Sequence, residues 1–125
     1  IAIVSATARQ ALKQEWAEHD LMRYVHQLCA QEDGSKKVCI NALKTWYQPE
    51  DVLMIGDAPG DLEAARENGV LFFPIRPGNE VESWAEFVAG GLDNFLNGTF
   101  AGAYEARQIE RFNGSLKDTP PWKQA

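Results

Sequence analysis

Along the chain, short unbroken apolar runs alternate with longer stretches whose apolar residues recur at helical spacing. Ile1-Ala2-Ile3-Val4 is a continuous apolar run ending in Ser5-Ala6-Thr7, the pattern of a buried parallel strand that feeds a helix. Residues 8–19 follow as a helix, with Ala11, Leu12, Glu15 and Trp16 at helical spacing. Residues 24–29 read as a second, shorter strand, and residues 31–35 as a polar loop containing Gly34. Residues 36–47 read as a helix whose face carries Ile40, Leu43 and Tyr47, broken by Pro49-Glu50-Asp51. Val52-Leu53-Met54-Ile55 is the strongest strand signal, and it stops at the turn-rich Gly56-Asp57-Ala58-Pro59-Gly60-Asp61. Residues 62–68 read as a short helix with Gly69 at the left-handed position past its end, and residues 70–74 as another strand. Helices are predicted over 80–89, 92–95 and 103–112. Residues 118–125 are a Pro-containing tail whose Trp122 packs back on the domain.

Alternating strands and helices predict an α/β fold: a Rossmann-like parallel sheet with helices on both faces. The length, 125 residues and 13.9 kDa, suits one domain with a core of its own, with a helical C-terminal extension from about residue 80. Apolar residues are 45% and charged residues 24%, an ordinary globular balance with no run near the ~20 apolar residues of a membrane span. Eighteen acidic against twelve basic residues leave a net charge of −6, which argues against a nucleic-acid partner. Cys29 and Cys39 form neither a disulfide framework nor a zinc motif, so a reducing cytoplasm is expected. No signal-peptide pattern opens the chain. It starts with Ile1 inside a core-strand pattern, which reads as a truncated protein.

In parallel sheets, ligands bind beyond the carboxyl ends of the strands. Three polar groups fall there: Ser5, the Lys36-Lys37 pair, and the Asp57/Asp61 pair. Two carboxylates across a glycine-rich turn suit a hard, oxygen-seeking cation such as Mg²⁺, although Asp61 as a helix cap and Asp57 in an Asx-turn would explain them as well. Ser5 before a helix suits an anion, or is simply a cap, and Thr7 could share either role. Lysines at a helix N-terminus oppose the macrodipole and call for an anionic partner, although most lysines are solvated surface charges. His19 and His26 lack ligand spacing and read as structural. Cys29 and Cys39 read as small buried side chains, and Trp16, Trp46 and Trp84 as core. A dinucleotide-binding fold is set aside because Ser5 to Gln10 contains no glycine.

The order strand–Ser, Lys, strand–Gly-Asp-x-x-x-Asp resembles the haloacid dehalogenase superfamily of phosphohydrolases over residues 1 to about 76. Ile1-Ala2-Ile3-Val4-Ser5 is similar to its second motif, and Gly56-Asp57-Ala58-Pro59-Gly60-Asp61 to its fourth. Lys36 matches the third motif, and is preferred to Lys37 because Ile40 and Leu43 then fall four and seven residues on. The resemblance implies a Mg²⁺-dependent phosphatase-type hydrolase acting on a small phosphorylated substrate through an aspartyl-phosphate. It implies Ser5 on a phosphoryl oxygen, Lys36 neutralising charge, and Asp57 and Asp61 at the metal. The family's first motif, Asp-x-Asp after a strand, is not found among aspartates 20, 33, 51, 57, 61, 93 and 118. The nucleophile segment is thus missing, and the chain alone is expected to be inactive. The 31 residues from Ser5 to Lys36 leave no room for a cap domain between those motifs. The alternative is a non-catalytic relative used for binding or scaffolding. In the resembled fold the missing strand lies between the strands ending at Ser5 and Gly56. Those two edges are therefore expected to close on each other or to pair with another chain.

Overall fold

The computed structural model describes residues 1–116. The chain forms two compact units, Ile1–Tyr47 and one beginning at Gln48, and each contains a two-stranded parallel sheet.

In the first unit, β1 (Ala2–Val4) pairs with β2 (Gln27–Cys29), Ile3 opposite Leu28 and Val4 opposite Cys29. Successive strand side chains point to opposite faces, so Ile3 and Leu28 share one face. There, helix α1 (Arg9–Glu18) contributes Leu12 to a buried cluster with Ile3, Leu28 and Ala30, and Trp16 and Val25 pack against it. Helix α2 (Lys36–Leu43) packs on β1 and brings buried Cys39 beside buried Cys29.

In the second unit, β3 (Leu53–Gly56) pairs with β4 (Leu71–Pro74), joined by helix α3 (Pro59–Glu67). A Schellman ending closes α3: Gly69 at φ 67° lets its own N–H reach Arg66 O and the Val70 N–H reach Ala65 O, both at 3.1 Å. Helices α4 (Glu80–Glu86), α5 (Leu92–Leu96) and α6 (Ala103–Ser115) follow, with a π-helical turn at Phe87–Gly91 fusing α4 to α5. The alternation of Phe72 and Phe73 sends one ring to each face of β4. Phe72 meets Phe112 of α6 at 5.9 Å between centroids, and Phe73 meets Phe87 at 5.1 Å and Phe100 at 6.3 Å. Helices thus cover both faces of this strand.

The side of β4 away from β3 is closed by two residues. Leu71 and Ile75 donate to β3-side carbonyls of Val52 and Gly56, so Phe72 and Pro74 point the other way. The Phe72 N–H is bound by Glu105 Oε2 at 2.7 Å, and Pro74 has no N–H to satisfy.

The mixed α/β class and the parallel pairing agree with the sequence pattern, but the strands do not form one sheet. β1 and β3 belong to separate two-stranded sheets, so the expected closure of one on the other is not present. The second strand is shorter than 24–29, because Met22–Tyr24 winds into a 3₁₀ turn. The helix predicted over 36–47 ends at Leu43 and tightens into a 3₁₀ turn at Lys44–Trp46, which turns Tyr47 and Trp46 outward. Trp46, expected in a core, is 83% exposed, and Trp84 is half exposed. Helix α3 begins three residues earlier than predicted, because Pro59 lacks the N–H that a first helical residue does not need. The helices from residue 80 contribute to the core of this unit, with Phe87, Phe95, Phe100 and Tyr104 making up much of the cluster around Phe73. Residues 118–125, with Trp122, lie outside the described residues. No helix among the described residues is long and apolar enough to cross a membrane.

Candidate functional site

The Gly56–Asp61 loop leaves the carboxyl end of β3 and enters α3. Its start is anchored to β4, where the Ile75 N–H donates to Gly56 O at 2.8 Å. Ala58 is the helix N-cap and has no side-chain acceptor for the first amides. Asp61, at the third helical position, instead reaches back to the loop: its Oδ2 accepts from the Asp57 and Ala58 N–H groups, both at 3.1 Å. The carboxylate is 2% exposed and sits at the positive end of α3, where its charge is favoured. Gly56 makes this possible. A Cβ there would lie 2.5 Å from Asp61 Oδ2 and 2.6 Å from Asp61 Cβ. The loop is a carboxylate-stitched turn that presents Asp57, exposed, at the strand end.

The sequence placed Asp61 at or beside the N-cap. The structure places it three residues past the N-cap Ala58, bonding back to the loop, so Asp57 and Asp61 are brought together through backbone amides. No group of three or more His, Cys, Asp or Glu side chains clusters for an ion among the described residues. Two carboxylates with water completing the shell is the habit of Mg²⁺, which keeps several waters and leans on one or two carboxylates. Of the two carboxylates here, Asp57 is exposed, whereas Asp61 is buried with its Oδ2 taken up by the Asp57 and Ala58 amides. A groove of about 530 Å³ between α3 and α6, floored by Val70 and Phe72, includes neither aspartate.

Ser5 and Lys36 belong to the first unit, at the carboxyl side of its parallel strands. The Ser5 N–H continues the ladder to Cys29 O at 2.9 Å, and Ser5 Oγ accepts from the Thr7 N–H at 3.1 Å. The expected anion site at the start of the next helix already holds an anion from the chain. The Arg9 N–H, first in α1, donates to both carboxylate oxygens of Glu32 at 3.2 and 3.0 Å. The Arg9 guanidinium pairs with Asp33, whose carboxylate also accepts from the Ala30 N–H at 2.8 Å. The Ser5 hydroxyl thus sits in an ST-turn beside a helix end whose first amide is bound by Glu32.

Glu32, Asp33 and Arg9 were not singled out by the sequence reading. The signal available was a cation, Arg9, at a helix start where the macrodipole opposes it, with an acidic pair just after the following strand. Lys36 opens α2 behind Ser35, whose Oγ caps the Val38 N–H at 3.3 Å. Lys36 is half-buried and Lys37 is exposed. Cys29 and Cys39 are both buried, and desolvation together with the neighbouring Cys29 pushes the Cys39 thiol up to about 11.

No family model, no curated protein and no solved structure matches this chain.

Proposed function

We propose that this chain is part of a Mg²⁺-dependent phosphatase-type hydrolase of the haloacid dehalogenase kind, built on a Rossmann-like sheet and acting on a small phosphorylated substrate. The observation that carries the reading is the Gly56–Asp61 loop: a strand-end aspartate held outward by a second, buried aspartate that ties down the turn. Its support elsewhere is placement, with Ser5 after β1 and Lys36 opening the helix after β2.

In this reading Asp57 holds Mg²⁺, with Asp61 ligating directly or through water while keeping the loop in shape. Bound Mg²⁺ supplies positive charge and a template for phosphoryl oxygens. Ser5 Oγ accepts from Thr7, which leaves its hydroxyl proton to be donated to a phosphoryl oxygen. Lys36 neutralises negative charge that develops during transfer. The nucleophilic aspartate comes from a segment outside these 125 residues, because no Asp-x-Asp is present in them. That same absence favours, as a second reading, a non-catalytic binding module.

Paramagnetic broadening by Mn²⁺, a Mg²⁺ substitute, tests the metal assignment without requiring turnover. Amide signals of Gly56, Asp57, Ala58, Gly60 and Asp61 should broaden first in the wild-type chain and should not in Asp57→Asn. Broadening centred elsewhere, or unchanged in the variant, removes Asp57 from a metal site and leaves the module reading. The chain alone should not hydrolyse p-nitrophenyl phosphate with Mg²⁺; turnover by the pure chain would place a nucleophile within it.

A further inference from the structure

The helical stretch α4–π turn–α5 has two apolar faces, and only one is packed. Inward, Ser83, Phe87, Gly91 and Phe95 follow at intervals of four. Gly91 lies so close to the core that a Cβ would sit 2.9 Å from Phe87 Cδ2 and 3.0 Å from Phe73 Cε2. Outward, Val81, Trp84, Val88, Leu92 and Leu96 are all exposed, Val81 by 85%, Val88 by 72% and Leu96 by 69%. Their spacing is three, then four, four and four. In an α-helix each step of four drifts about 40° round the axis, so such a row would wind off one face. The π turn at Phe87–Gly91 absorbs an extra residue and brings the later positions back into line. Five large apolar side chains thus form one row about 22 Å long, at about 1.5 Å per residue. Monomeric soluble surfaces seldom leave such a row uncovered.

The charge around the row selects its occupant. From Asn79 to Gly98 there are four carboxylates, Glu80, Glu82, Glu86 and Asp93, and no Lys or Arg. Glu86 is taken up by Arg76 and Arg111 at 3.0 and 2.9 Å. Glu82 and Asp93 each directly follow a residue of the row, so they sit beside it near opposite ends and are exposed. A second copy laid antiparallel would bring Glu82 towards Asp93 of its mate, and a parallel one, in which residues after the row face residues before it, would bring Glu82 towards Glu80 of its mate. Both arrangements set carboxylate against carboxylate. An anionic lipid surface meets the same repulsion.

We infer that the Val81–Leu96 face is a docking surface for an amphipathic α-helix of a partner protein, one that lays its apolar side on the row and sets Lys or Arg beside Glu82 and Asp93. The helix-on-helix mode needs no groove, because Ala85 and Ala89 keep the space between the large side chains low.

Two fluorescein-labelled synthetic helices test this on the whole chain by anisotropy. Each has about 18 residues, enough to cover the row. One carries Leu on one side and Lys on the other, and its counterpart has Glu for every Lys. The Lys helix should bind saturably and the Glu helix at least about tenfold more weakly. Val81→Asp and Val88→Asp, chosen because both side chains already face solvent, should keep the wild-type circular dichroism and weaken the Lys helix at least about tenfold. Glu82→Lys with Asp93→Lys should move preference towards the Glu helix. Equal binding of both helices, or binding unaffected by both aspartate variants, overturns the inference. So does a wild-type dimer in sedimentation equilibrium that Val88→Asp dissociates, which would assign the face to a second copy. Binding to phosphatidylcholine vesicles that Val88→Asp abolishes would overturn it likewise, in favour of a lipid surface.

Discussion

Gly56→Ala should be among the most damaging single-methyl changes in the second unit. Gly56 does not lie in the left-handed region, so its requirement is space and not backbone conformation. The added carbon would meet Asp61 Oδ2 at 2.5 Å, Cβ at 2.6 Å and Cγ at 2.7 Å. Rotating the carboxylate relieves the first and third contacts but not the second, because Cβ is fixed to the α3 backbone. The strand end and the first turn of α3 must therefore separate, at about 1–3 kcal/mol for an overpacked methyl. The same movement loosens the carboxylate from the Asp57 and Ala58 amides, about 1–2 kcal/mol for a capping interaction. The total is about 2–5 kcal/mol. With a urea dependence of about 2 kcal/mol per molar, the unfolding midpoint falls by roughly 1–2.5 M. Backbone amides of β3 and β4 followed by NMR through the titration let the second unit report for itself. The diagnostic comparison is with Asp61→Gly, which loses the cap and puts a glycine in the helix, about 2–3 kcal/mol together. Alanine at 61 would not serve, since it keeps the offending Cβ. In the double variant the new methyl has nothing to strike, so Gly56→Ala/Asp61→Gly should be about as stable as Asp61→Gly alone. A double variant that loses the full sum, about 6 kcal/mol, would show that the Gly56 requirement does not lie in Asp61.

Glu105→Ala should cost about 1–3 kcal/mol, because the Phe72 N–H on the outer side of β4 loses its acceptor; hydrogen exchange at that amide should rise, and unchanged protection would refute the assignment. The hydrogen bond from Arg111, then its charge and that of Arg76, hold the Glu86 carboxyl below the usual carboxylate range. Its contribution is complete above the unfolded value of ~4.3 and disappears as pH falls through the lower folded value, so Glu86→Gln should destabilise by about 1 kcal/mol at pH 7, screened as a third-exposed pair is, and by less at pH 3. Equal losses at both pH values in urea titrations would contradict this. With its thiol raised from 9.0 to about 11, Cys39 carries about a hundredfold less thiolate at neutral pH, so native-state reaction with Ellman's reagent should lag the unfolded chain by at least that factor. A rate matching the unfolded chain would mean that the thiol is not held as described.

Local chemistry written into neighbouring residues was legible without the fold. Strands β1, β3 and β4 appeared as apolar runs, Gly69 marked the end of α3, and the Gly56–Asp61 turn stood out because glycine, proline and aspartate each constrain backbone within a few residues. Parallel pairing was legible too, since strands joined through helices have few other options. Tertiary structure decided what depends on residues far apart in sequence. Glu32 rather than Ser5 serves the start of α1, because 23 positions of chain fold back to bring its carboxylate to the Arg9 amide. Trp46 faces water because a helix that periodicity would extend tightens after Leu43. Among the described residues the four strands divide between two sheets, because backbone edges pair only where the packing of their own helices brings them, and apolar pattern does not name the neighbour. The outward row from Val81 to Leu96 is of the same kind. Its residues look like core to any reading of sequence, and only the side on which Phe73 lies shows that they are not.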